Sequence, residues 1–174
     1  LHYRAWREAL ARAGAPDHVF RADEFYSCGG KSANDVVRFL NERYGMHMDA
    51  ASTAADKRRI YLEMLEKEGM QPIREVVEFV HSLGDAPKAI ATGSAMPGAS
   101  RTLAAAGLSG LFDVILTPDE VEHGKPAPDM FLKAAELLGV SPDRCVVFED
   151  AEPGMKAAAA AGMDCVQVRR PSLA

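Results

Sequence analysis

Cysteine is scarce in this sequence and follows no pattern. The three present, Cys28, Cys145 and Cys165, are an odd number without metal-ligand spacing, which argues against a disulfide framework and against a thiolate metal cluster. Two of them fall inside apolar runs, where cysteine acts as a small core residue, so the expected setting is a reducing cytoplasm. Cations are also in short supply. Twenty Lys and Arg against 25 Asp and Glu leave a net charge of −5, without the clustered basic stripe that nucleic acid or an anionic membrane surface requires. No apolar run reaches bilayer-spanning length, and no internal repeat or low-complexity linker interrupts the chain. A small phosphorylated molecule remains a suitable partner, because one local positive site on an acidic protein is enough to bind it.

What is present divides into two halves of different character. Trp6, Leu10 and Ala13 keep helical spacing until Gly14-Ala15-Pro16 ends the run. Ser32 reads as an N-cap for a helix through Val36, Val37, Leu40 and Tyr44, stopped by Gly45. A longer helix is predicted from about Ala54 to Glu68 with Gly69 as its stop, and Pro72 opens another that runs to Leu83. Four short apolar runs then follow: 88–92, 112–116, 144–148 and 165–168. Helical patterns at 99–106, 129–138 and 154–161 alternate with them. Strands that are continuously apolar and alternate with helices predict one parallel sheet covered on both faces. The fold class read from this is α/β, with an N-terminal helical unit over 1–71 and a Rossmann-like parallel core over 72–174.

Ligands of open parallel sheets bind at the carboxyl ends of the strands. The first strand ends in Thr92-Gly93-Ser94, whose two hydroxyls and backbone can cradle a phosphate; an ordinary strand-to-helix turn has the same composition. After the second strand, Lys125 stands between Gly124 and Pro126 in a stiff loop, either as a point charge for a phosphoryl group or as a solvated turn residue. Asp129 reads as the cap of the next helix, and His123 as a surface residue. The third strand runs into Glu149-Asp150, an acid pair able to hold Mg²⁺ or, alternatively, a polar turn. Hydroxyl, lysine and acid pair on successive parallel strands together make a phosphoryl-transfer set that lacks a nucleophile.

In this combination the sequence resembles the haloacid dehalogenase superfamily, in the subgroup with a helical cap. Ala91-Thr92-Gly93-Ser94, Gly124-Lys125-Pro126-Ala127-Pro128-Asp129 and Val147-Phe148-Glu149-Asp150-Ala151 carry the likeness in order. The resemblance implies phosphohydrolase activity on a small sugar phosphate. Thr92, Gly93 and Ser94 would hold the phosphoryl group, Lys125 would pair with phosphate and nucleophile, and Glu149 and Asp150 would hold Mg²⁺. His2 is similar to a cap-hinge histidine, and Ser32 falls in a loop, 30–35, that resembles the substrate loop of β-phosphoglucomutases. Arg144 to Arg169 looks most like fructose-1-phosphate-type phosphatases and β-phosphoglucomutases alike, but Ala33 stands where those mutases carry an arginine and Met96 departs from their polar residue, so hydrolysis is preferred over mutation. The family's nucleophilic aspartate, which forms an aspartyl-phosphate, is expected upstream of Leu1 on a strand between those ending at Thr92 and Glu149. The alternatives are a β-phosphoglucomutase-like enzyme, a non-catalytic remnant without that strand, and a homodimer, rather than a monomer, that borrows the strand by swapping.

Overall fold

A computed structural model describes residues 1–168 of the chain. The end of the expected core, 169–174, including Arg169, lies outside the described residues.

The N-terminal half forms four helices: α1 (His2–Arg12), α2 (Ala22–Ser27), α3 (Ala33–Tyr44) and α4 (Ala50–Glu68). Helix α1 is buried on two sides because its apolar residues repeat at four-residue spacing along two stripes. Trp6 and Leu10 meet Val36, Val37 and Leu40 of α3. The smaller Ala5 and Ala9 let Ile60, Tyr61 and Leu65 of α4 come close. Ser32 caps α3 by accepting the amide of Asp35, and Gly45 ends it in the left-handed conformation. Asp49 caps α4 through the amide of Ser52, which starts that helix four residues before the apolar pattern does.

The C-terminal half alternates: α5 (Arg74–Ser82), β1 (Ala89–Ala91), α6 (Met96–Ala105), β2 (Val114–Leu116), α7 (Asp129–Leu138), β3 (Val146–Glu149), α8 (Glu152–Ala160) and β4 (Asp164–Gln167). All pairing is parallel, with Ile90 opposite Ile115 and Phe148 opposite Val166. The strands do not form one sheet, however. Among the described residues they make two separate pairs, β1–β2 and β3–β4. Among the described residues no strand pairs with the second edge of β1 or of β3.

The expectation of cover on both faces also fails for the second pair. Val147 is buried against α8 and Phe131, but Val146, Phe148 and Val166 are about half exposed (52%, 47% and 47%). On that face α5 reaches β3 by a ring contact between Phe79 and Phe148, 4.9 Å apart, and Phe79 is itself 40% exposed. Continuous apolarity in a strand reports what its faces tolerate, not that a layer lies on each. The first pair is better covered, since Leu116 packs on Met130 and Ala134 of α7, with Ala89 and Ala91 alongside.

Candidate active site

Lys125 organises the end of the sheet. It sits in the loop between β2 and α7 yet is only 6% exposed. Its ammonium donates to the carbonyl of Ala91 at 3.2 Å and to Glu149 Oε2 at 2.6 Å, and it lies over the Phe131 ring at 4.8 Å. One side chain thus starts after β2, passes the end of β1 and reaches the end of β3, linking the two separate strand pairs.

Glu149 is the last residue of β3, not the first after it. While Oε2 takes the lysine, Oε1 accepts the amides of Asp150 and Ala151, both at 3.1 Å. Burial pushes this carboxyl up, but the charge and hydrogen bond of Lys125, with the Ala151 amide, outweigh it and hold the pKa below the usual carboxylate range. Gly154, in the first turn of α8, is required here, because a Cβ at that position would collide with the Glu149 carboxylate.

The loop after β1 lies beside this pair. Thr92 N–H donates to the Leu116 carbonyl at 2.9 Å, and the Ser94 amide donates to Thr92 Oγ1 at 3.1 Å. Thr92, Gly93 and Ser94 are half-buried, and Asp150 is exposed. All four line, with Lys125 and Glu149, a cavity of about 870 Å³ whose opposite wall is made by α1–α4. That volume suits a small metabolite. Its charged lining is cationic, with Lys31, Lys57, Arg58, Arg59 and Lys125 against Asp119, Glu149 and Asp150. Arg59 and Lys125 are paired with carboxylates, so Lys31, Lys57 and Arg58 carry most of the excess positive charge on this wall of an acidic chain.

On the helical wall, His2 and Ser32 line the same cavity. Ser32 is already occupied as a cap, accepting the Asp35 amide at 3.2 Å and donating to Asp35 Oδ2 at 2.6 Å. His2 stacks on Tyr61 with ring centroids 3.9 Å apart, and its Nδ1 lies 2.9 Å from Lys57 Nζ. Burial, helped by the Lys57 charge, holds the His2 pKa well below 6.5, so the ring is neutral and Nδ1 accepts from the ammonium.

Lys57 is the residue that sequence reasoning missed. It is 8% exposed, lies over the rings of Tyr61 and Trp6 at 5.4 and 5.5 Å, and makes none of the chain's described salt bridges. Burial, and next the charge of Arg58, lower its pKa to about 8. The available signal was a lysine on the buried face of α4, in step with Ala54, Ile60 and Tyr61. Tyr61 also ties that face to the sheet half, its hydroxyl 2.7 Å from Thr102 Oγ1 on α6. Asp129, by contrast, is no cap: α7 has Pro128 at its N-cap without a side-chain bond, and Asp129 meets the exposed His123 at 3.2 Å.

No group of three or more His, Cys, Asp or Glu suited to a metal ion occurs among the described residues. The donor set of Glu149 and Asp150 still fits Mg²⁺, a hard cation that takes one or two protein carboxylates and fills its shell with water and phosphate oxygens.

Residues 1–162 match the family model of the haloacid dehalogenase-like hydrolases. The chain is 37% identical to a fructose-1-phosphate phosphatase, YqaB, of Escherichia coli strain K12, over 97% of this chain and 87% of the relative. It is 32% identical to hexitol phosphatase A of the same organism, over 97% and 76%. Among solved structures, a β-phosphoglucomutase from Clostridium difficile superposes with a TM-score of 0.77 at 25% identity, covering 97% of this chain and 77% of that one.

Proposed function

Because this chain belongs to the haloacid dehalogenase-like hydrolases, we propose that it is a Mg²⁺-dependent phosphatase of small sugar phosphates. The observation that carries this reading is the buried Lys125–Glu149 pair at one wall of a cation-rich cavity. Thr92 and Ser94 offer hydroxyls, and Gly93 its backbone, to the oxygens of the transferring group. Lys125 supplies a fixed positive charge where negative charge develops, and fixed charges in a dry site cost no reorganisation during the reaction. Glu149 and Asp150 would hold Mg²⁺, whose chemistry here is neutralisation of phosphoryl charge. The nucleophile is an aspartate upstream of Leu1, on a strand seated between β1 and β3, and it forms an aspartyl-phosphate that water then hydrolyses. The second edges of those two strands, which no described strand pairs with, support that placement.

The helical wall reads the rest of the substrate. His2 and Ser32 present polar atoms to sugar hydroxyls, and Lys57 is a buried cation with no acid among its described partners, an arrangement that a ligand oxygen relieves. The names of the two phosphatase relatives support sugar phosphates as the substrate class. The apolar Ala33 on the cavity lining supports hydrolysis over mutation, since a mutase has to grip two phosphates. The setting proposed is the cytoplasm, with the protein a monomer or homodimer and with neither nucleic acid nor membrane as partner. No helix among the described residues is long and apolar enough to cross a membrane.

The test is phosphate release by the full-length protein from fructose 1-phosphate and from an aryl phosphate. Release should require Mg²⁺ and stop with chelator. Asp150→Asn should lower kcat/KM at least tenfold, about 1.4 kcal/mol of barrier. A folded protein that releases nothing with Mg²⁺ present would leave a binding or structural role. Conversion of β-glucose 1-phosphate to glucose 6-phosphate would assign a mutase instead.

A further inference from the structure

The loop that joins α2 to α3 touches the sheet half through atoms that leave no room for side chains. A Cβ added at Gly29 would lie 2.5 Å from the Cβ of Ala151. One added at Gly30, whose φ is +82°, would lie 2.6 Å from Cδ and 3.1 Å from Cβ of Lys125. One added at Gly93 would lie 2.8 Å from the Lys31 carbonyl oxygen and 3.0 Å from that of Gly30. Real Cβ atoms do not come within 3 Å of such neighbours, so each contact exists because the position is glycine.

These contacts fall on the supports of one ion pair. Ala151 is the residue whose amide holds Glu149 Oε1. Lys125 is the residue whose ammonium holds Glu149 Oε2. We propose that the Gly29-Gly30 turn is a seat through which the helical half fixes the Lys125–Glu149 pair, Gly29 resting on Ala151 and Gly30 on the lysine stem. Both line the cavity and are positioning residues, acting through the pair and not on the reacting atoms. Gly29 is the cleaner probe, since its backbone is not left-handed and a side chain there adds contact without backbone strain. Its collision is also reversible by design. Ala151→Gly removes the clashing methyl and keeps the amide that Glu149 needs, leaving the nearest neighbours of an alanine at 29 as the Tyr26 carbonyl at 3.3 Å and the Ala151 Cα at 3.9 Å.

The catalytic meaning of the seat rests on the phosphatase reading, so its test carries a readout free of activity. Lys125 in the full-length protein is labelled with acetic anhydride and followed by peptide mass spectrometry, with Lys156 as the exposed reference in the same chain. The parent should label Lys125 at least tenfold more slowly than Lys156. Gly29→Ala should raise the Lys125 rate at least threefold, and Gly29→Ala/Ala151→Gly should bring it back to within twofold of the parent. An unchanged rate in Gly29→Ala, or a raised rate that Ala151→Gly does not restore, overturns the seat. If Gly29→Ala does not fold, a folded double variant with slow labelling supports the seat, and a double variant that also fails to fold refutes it. Phosphate release measured beside the labelling should fall at least tenfold in Gly29→Ala and recover in the double variant. If the parent releases no phosphate, the phosphatase reading falls while the labelling still decides the seat.

Discussion

Replacing Lys57 by methionine should make the protein more stable and less active, and the gain in stability should disappear in alkali. Lys57 is buried in α4 with a pKa lowered from 10.5 to about 8, burial being the main cause. At roughly 1.4 kcal/mol per tenfold, that depression costs the folded state about 3 kcal/mol while the ammonium is charged in both states. The sign follows from proton counting. Below pH 8 both states hold the proton and the whole penalty applies. Between pH 8 and 10.5 the folded lysine has lost its proton and the unfolded one has not, so stability rises with pH. The penalty is therefore about 3 kcal/mol at pH 7 and about 1 kcal/mol at pH 10. Methionine matches the stem of lysine but loses the contacts over Trp6 and Tyr61, about 1 kcal/mol, and leaves His2 Nδ1 without its donor, about 1 kcal/mol more. Urea unfolding of parent and variant from pH 7 to 10 reads the effect, since titrations that the Lys57 charge does not touch cancel in the difference. The variant should be ahead by about 1 kcal/mol at pH 7 and should lose about 2 kcal/mol relative to the parent by pH 10. Under the proposed function its kcat/KM on fructose 1-phosphate should fall at least tenfold. A stability difference independent of pH would refute the argument, because it would mean that Lys57 titrates in the fold as it does in water.

Two further predictions concern the same walls of the cavity. Lys125→Met should destabilise the protein by about 3 kcal/mol in urea unfolding at pH 7, because it strands the Glu149 carboxylate, whose side chain is only 11% exposed. Adding Glu149→Gln should return at least 1 kcal/mol of that loss, and a double variant no more stable than the single one would show that the pair is not coupled. Acidification should weaken the fold below pH 6.5, since the unfolded chain protonates His2 there and the buried ring does not. His2→Asn should flatten that part of the stability curve, and an unchanged acid limb would place the titration elsewhere.

Local signals in the sequence were read well where a single residue decides the structure. The helix 129–138 has its expected bounds, and Ser32 with Gly45 delimit α3 as their capping chemistry requires. Helix α2 escaped because six residues carry no helical period. Helix α4 starts four residues ahead of its apolar stripe because Asp49 caps it through the Ser52 amide. The positions 92–94, 125, 149 and 150 were singled out by strand-end logic and do line one cavity, but their bonding was not legible. Nothing local says that a lysine after β2 reaches across to Glu149, a partner 24 residues away. Lys57 was invisible for the opposite reason. A lysine in a long helix reads as solvated, and only the stripe from Ala54 to Leu65 places it inside. The half-exposed face of β3 and β4 was beyond sequence reasoning, because cover belongs to the neighbouring layer and not to the strand.

The division of the strands into two pairs bears on how the molecule assembles. Each pair closes over a short stretch of chain, 25 residues between Ala89 and its partner Val114 and 18 between Val146 and its partner Asp164. Each has a helix of its own to condense on, α7 for the first and α8 for the second. Contacts of such modest separation are cheap in loop-closure entropy and quick to form. The sheet half therefore holds two strand pairs that can each form early, and under the proposed function their joining waits on the strand seated between them, with the Lys125–Glu149 bond spanning the same joint.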